Sequence, residues 1–144
     1  MVSLQLNQRT DYGLAALLYL AGRSQESLTS LQEISDSTDI PVEFLRKIFQ
    51  QLAKAGVIHS LKGRRGGVRL ARRPEEITLL EVVESLEKTM GLVRCLRGEF
   101  CPRSDTCPAS RFWHEALVQF RQSLRNVTIS ELAGMDTSKA TKKA

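Results

Sequence analysis

A chain of 144 residues, 42% of them hydrophobic, suffices for one domain and leaves little room for a second. No stretch approaches the roughly 18 uninterrupted apolar residues of a membrane span, and the start lacks an apolar leader with a small-residue cleavage site, so no membrane association and a cytoplasmic location are expected. The formal charge of +5 is concentrated: residues 41–73 hold nine Lys or Arg against Glu43 alone, a local +8 that leaves the remainder at −3, and such focusing points to a polyanionic partner.

The first element expected is a helix over Thr10 to Arg23, apolar nearly all round and therefore packed inside, with Thr10 or Asp11 as its cap. Thr29 opens a second, short helix ending near Thr38, with Leu31 and Ile34 on one face and Gln32 placed for a capping box. Asp39, Ile40 and Pro41 supply a turn and a new start. The third helix runs from Val42 to about Gly56, its stop signal. It turns Phe44, Leu45, Ile48, Phe49 and Leu52 inward and leaves Glu43, Arg46, Lys47 and Gln50 toward solvent. Val57 to Leu61 and Val68 to Leu70 then read as a β-hairpin whose tip carries Lys62, Arg64 and Arg65.

A short helix, a turn, a second helix with a polar face and a basic hairpin make a winged helix-turn-helix. The fold expected is therefore mainly α, with a small β-hairpin wing. Its partner is double-stranded DNA: Glu43, Arg46, Lys47 and Gln50 are the groove-facing set, and Lys62, Arg64 and Arg65 reach phosphate or the minor groove. The wing glycines are expected to let the backbone approach DNA closely. No enzyme constellation competes, since no Ser/His/Asp arrangement can be placed and Gly63, Gly66 and Gly67 lie in a hairpin and not between a strand and a helix.

Thr78 and Glu81 make a capping box for a fourth helix whose Leu79, Val82, Val83 and Leu86 close the core. The polar stretch that follows holds the only cysteines, Cys95, Cys101 and Cys107, among Arg94, Arg97, Glu99, Arg103 and Asp105. An odd count argues against a disulfide framework and for a reducing compartment, and thiols in so polar a setting are kept for reactivity, not packing. Soft thiolates suit an iron–sulfur cluster or zinc. From Pro108 a long helix runs to about Arg125 with Phe112, Trp113, Leu117 and Phe120 on one face, an apolar surface best explained as a dimer interface. Thr128 and Glu131 cap a last short helix. The chain thus divides into a DNA-binding region over 1–90, a cysteine segment over 91–107, a dimerisation helix with a short C-terminal helix over 108–134, and a tail over 135–144 expected to be disordered.

The opening LNQRTDYGLAALLYLA, the hairpin KGRRGGVRLAR, the stretch ITLLEVVESLE, the three cysteines and the closing NVTISELA together resemble the BadM-type winged-helix regulators of the IscR, NsrR and RirA kind, over Leu6 to Ala133. The resemblance implies a homodimeric transcription regulator, most often a repressor, on a palindromic operator. It also implies that the cysteines hold a [2Fe-2S] or [4Fe-4S] cluster whose presence or state, reporting iron, redox or nitric oxide, controls DNA affinity. Three cysteines leave a fourth ligand to find. The IscR branch has a histidine three residues after its third cysteine, where this chain has Ser110; the motif RTD matches the position from which some NsrR-type regulators contribute a carboxylate, making Asp11 of the partner subunit the candidate. His59 and His114 read as ordinary structural or solvent-facing histidines. Two alternatives stay open: a DNA-binding regulator sensing by thiol oxidation without a cluster, and a zinc-stabilised interaction module.

Overall fold

The computed structural model describes residues 6–91 and 93–134, so the expected tail over 135–144 lies outside the described residues. Within them run α1 (Gln8–Ala21), α2 (Leu31–Thr38), α3 (Val42–Lys54), β1 (Ile58–Leu61), β2 (Gly67–Leu70), α4 (Leu79–Leu86), α5 (Ser110–Arg125) and α6 (Ile129–Gly134), with short 3-10 turns at Pro74–Glu76 and Arg94–Arg97. The fold is mainly helical with one antiparallel hairpin, a winged helix-turn-helix. No described helix is long and apolar enough to cross a membrane.

The core gathers Ala16 and Leu17 of α1, Ile34 of α2, Leu45, Ile48 and Leu52 of α3, and Ile58, Val68, Val82 and Leu86 around them, all within 2% of full burial. Each such side chain contributes about 1.5–3 kcal/mol relative to exposure. Three helix ends follow from local chemistry. α3 stops in a Schellman motif, with Gly56 at φ +76 and its N–H donating to the Ala53 carbonyl at 3.1 Å while the Val57 N–H donates to Leu52 at 3.0 Å. α4 opens on the expected capping box: Thr78 Oγ1 accepts from the Glu81 N–H at 3.2 Å, and Glu81 Oε2 accepts from the Thr78 N–H at 3.0 Å. Thr128 Oγ1 accepts from the Glu131 N–H at 3.2 Å.

Two caps differ from expectation. Asn7, not Thr10 or Asp11, caps α1, its Oδ1 accepting from the Thr10 N–H at 3.1 Å. Thr10 is already the third residue of α1, inside the helix and not before it; it is buried and its hydroxyl donates to Glu87 Oε1 at 2.6 Å. At α2 the cap is Ser30, which accepts from the Glu33 N–H at 3.1 Å, so Glu33 and not Gln32 occupies the third position. Thr29 is spent elsewhere: its N–H donates to the Val68 carbonyl at 2.9 Å and its carbonyl accepts from the Val68 N–H at 2.8 Å, tying the wing to the chain before α2.

The C-terminal third is an excursion that returns. Leaving α4, the chain passes through the cysteine segment, runs back along α5, and rejoins the start of α4, where the Leu79 N–H donates to Val127 at 2.8 Å and the Ile129 N–H donates to Ile77 at 2.9 Å. Ile129 is fully buried, so α6 belongs to the core. Arg121 of α5 pairs with Glu84 of α4 at 2.5 Å. With Thr128 opposite Thr78 and Arg121 opposite Glu84, α4 ends about level with Gln119, and the first half of α5 runs beyond it.

Candidate nucleic-acid interface and cysteine segment

α3 is amphipathic because Leu45, Ile48, Phe49 and Leu52 recur at helical spacing and are all buried. Opposite them Glu43, Arg46, Lys47 and Gln50 are exposed, four side chains on one face, as the sequence implied. Glu43 accepts from Arg46 at 3.2 Å, a surface pair that orients the guanidinium and contributes little stability. Between α2 and α3, Asp39 takes the left-handed conformation at φ 57 and Ile40 is buried beneath the turn, fixing the angle between the two helices. Phe44 does not point inward. It is 46% exposed and meets Tyr12 of α1 edge-on at 5.8 Å, because its place on the helix is at the margin of the buried stripe.

The wing pairs Ile58 with Leu70, His59 with Arg69, Ser60 with Val68 and Leu61 with Gly67. Ile58, Val68 and Leu70 anchor one face in the core, and His59, Leu61 and Arg69 are exposed. The Gly66 N–H donates to the Gly63 carbonyl at 3.0 Å, closing a β-turn in which Arg64 and Arg65 are the two central residues. That turn puts both guanidinium groups, with exposed Lys62, at the tip. Within the hairpin itself glycine is required at position 66, where a Cβ would overlap the Leu61 carbonyl oxygen. At the other end of the wing Arg72 reaches Glu81 Oε1 at 2.7 Å and the Glu76 carbonyl at 3.0 Å. Burial pushes the Glu81 carboxyl up, but the Thr78 N–H and the Arg72 guanidinium together outweigh it and hold the group below its ordinary 4.5.

Cys95, Cys101 and Cys107 are free thiols of intermediate exposure. Cys95 sits in the 3-10 turn, Gly98 ends that turn at φ 72, and Arg97 pairs with Glu99 at 2.8 Å. Successive turns follow, from the Ser104 N–H to Cys101 at 3.1 Å and from the Ser110 N–H to Cys107 at 3.2 Å, and the second of these delays the start of α5 to Ser110. Among the described residues no three His, Cys, Asp or Glu side chains converge as a metal-binding set. In donor chemistry the segment fits an iron–sulfur cluster: three free thiols, one short of a complete ligand set. Asp11 is exposed in the first turn of α1 and, among the described residues, its carboxylate has no hydrogen-bond or ion-pair partner. His114 is exposed and its Nδ1 lies 2.8 Å from the Ser110 carbonyl, while His59 is exposed on β1.

Sequence reasoning missed a groove beside α3. It is lined by Arg9 at the start of α1, Phe44, and Glu87 and Lys88 just after α4. Glu87 holds it together, accepting from the Asn7 N–H at 2.8 Å and from Asn7 Nδ2 at 2.9 Å besides Thr10. No local signal marks residues so far apart in the chain. α5 has no buried residue, and Phe112, Val118 and Phe120 are 61%, 65% and 47% exposed.

The chain matches the Rrf2 family, iron-dependent transcriptional regulators, over residues 6–134. It is 39% identical over 131 residues to the HTH-type transcriptional regulator NsrR of Shouchella clausii, covering 90% of this chain and 88% of that protein. Among solved structures it is similar to CymR, the global cysteine regulator of B. subtilis, at 27% identity and TM-score 0.75 over 93% of this chain and all of that one. It is also similar to the oxidized form of Staphylococcus aureus CymR, at 25% identity and TM-score 0.72 over 92% and 98%.

Proposed function

The chain belongs to the Rrf2 family of DNA-binding transcriptional regulators, which are not enzymes, and on that premise we propose a homodimeric repressor whose hold on a palindromic operator is set by an iron–sulfur cluster. Cys95, Cys101 and Cys107 would hold the cluster with Asp11 of the partner subunit. The observation that carries this reading is the placement of three free, half-exposed thiols on a polar segment joining the packed DNA-binding unit to a helix with no buried residue. When bound, such a cluster supplies a center whose state changes with iron supply, oxidants or nitric oxide.

The chain's own residues do the rest. α3 presents Glu43, Arg46, Lys47 and Gln50 to base edges in a major groove, and the wing turn presents Lys62, Arg64 and Arg65 to phosphate. Phe112 and Phe120, on one side of α5, meet their counterparts in a second copy, and the spacing of the two α3 helices follows from that contact. Glu87 ties the end of α4, four residues before the cysteine segment, to the end of α1 that bears Asp11, so a shift carried back along the chain is passed to α1 and, through Tyr12 and Phe44, to α3. A cytoplasmic site of action is part of this reading.

Protein purified without oxygen tests it: iron and acid-labile sulfide with visible absorbance support the cluster, and a colorless protein with stoichiometric zinc rejects it. A second reading has its own support, since one CymR relative was solved in an oxidized form and this chain's thiols are free and half-exposed. In it, thiol oxidation alone alters DNA binding. Full, oxidant-sensitive operator binding by iron-free protein would favor it.

A further inference from the structure

We infer that Arg9 and Lys88 form a second phosphate-binding edge for double-stranded DNA, seated around Phe44 at the end of α3 opposite the wing. This rests on the DNA-binding reading of α3. An α-helix with its side chains is about 10–12 Å across, close to the roughly 12 Å width of a major groove, so whatever flanks a helix lying there meets the sugar–phosphate rims. The wing follows the C-terminal end of α3 and covers one rim. At the N-terminal end, where recognition helices approach base edges, the groove beside Phe44 brings together two cations 79 residues apart in sequence.

Both cations are exposed, and among the described residues neither has an ion-pair partner. Lys47 lies three residues from Phe44, on the same flank of α3, and adds a third positive charge. The nearby acids are engaged or turned away. Glu87, held by Asn7 and Thr10, keeps one negative charge at the groove against the positive charges of Arg9, Lys88 and Lys47, Glu43 is paired with Arg46, and Asp11 lies roughly 200° round α1 from Arg9. Phe44, 46% exposed and lining the same groove as the two cations, offers an apolar surface for deoxyribose. Two unpaired cations sharing one groove with an exposed ring on the helix proposed to read DNA are placed to grip backbone.

The test is a salt series of binding to a random-sequence duplex of fixed length, for wild type and the variants Arg9→Ala, Lys88→Ala, Arg64→Ala and, as an equal charge loss on α5, Arg125→Ala. Arg9→Ala and Lys88→Ala should each weaken binding several-fold and lower the slope of log affinity against log salt by about 1 per chain, with Arg9→Lys restoring it. Arg125→Ala should leave the slope unchanged, and circular dichroism should be the same for all variants. Wild-type slopes for Arg9→Ala and Lys88→Ala beside a reduced slope for Arg64→Ala would overturn this edge and leave the DNA reading standing. An equal drop for Arg125→Ala would overturn it as a mere net-charge effect. No slope change for any variant, Arg64→Ala included, would overturn the DNA reading itself.

Discussion

The two halves of this molecule are held together differently. From α1 to α4 nearly every element buries a stripe, and its ends are closed by side chains or backbone within a few residues. The cysteine segment and α5 bury almost nothing: a helix of 16 residues, about 24 Å long, keeps Phe112, Val118 and Phe120 largely in water. The first half explains its own stability. The second buries too little within the chain to explain its own order, and in the proposed reading a bound group for the thiols and a second subunit for the helix supply what is missing. Under the proposed sensing role this division is useful, because the part that would change state is not the part that must stay folded.

Substitutions can break or sharpen that contrast. The largest effect is expected in the core: Ile48→Ala should cost about 2–5 kcal/mol in urea unfolding, and a cost below 1 kcal/mol would remove the distinction between the halves. Next, Phe112→Ala with Phe120→Ala should weaken self-association by about 2 kcal/mol or more in sedimentation equilibrium while leaving unfolding of the monomer within about 0.5 kcal/mol. Equal loss of monomer stability would place those rings in a core. Gly66→Ala should destabilise the hairpin by about 1–3 kcal/mol through overlap with the Leu61 carbonyl, and lower DNA affinity while α3 stays folded. The smallest effect concerns Glu81. Its folded value lies below 4.5, so its contribution is fully present above 4.5 and is lost as pH falls through the lowered value. Its side chain is 38% exposed, which limits that contribution to about 1 kcal/mol. Glu81→Gln should therefore lower stability at neutral pH by up to about 1 kcal/mol, flatten its fall on the acid side, and leave the most acidic stability little changed.

Much of the first half was legible because its signals are local. Gly56 ends α3, Thr78 and Glu81 face each other across one turn, and Gly63 to Gly66 close the wing tip. Errors arose where a distant residue decided between local equals. Thr10 and Asn7 are both good caps, and Glu87, 77 residues from Thr10, takes the threonine hydroxyl. Thr29 and Ser30 are both good caps, and Val68 takes the threonine backbone. Phe44 sits on the margin of its stripe, where periodicity cannot assign a side. The return of the chain at Val127 to Leu79 and the groove joining Arg9 to Lys88 carry no local mark at all. The three thiols were evident from composition alone, but the proposed fourth ligand, Asp11 of the partner subunit, could not be read from the spacing of one chain.

The central claim is that the cysteine segment governs the DNA-binding half. Operator affinity should be measured without oxygen on one preparation, before and after the iron is removed by a chelator, with the thiols kept reduced. Affinity should change by about fivefold or more, within the range of allosteric coupling. Identical affinity after complete loss of iron and sulfide would contradict it.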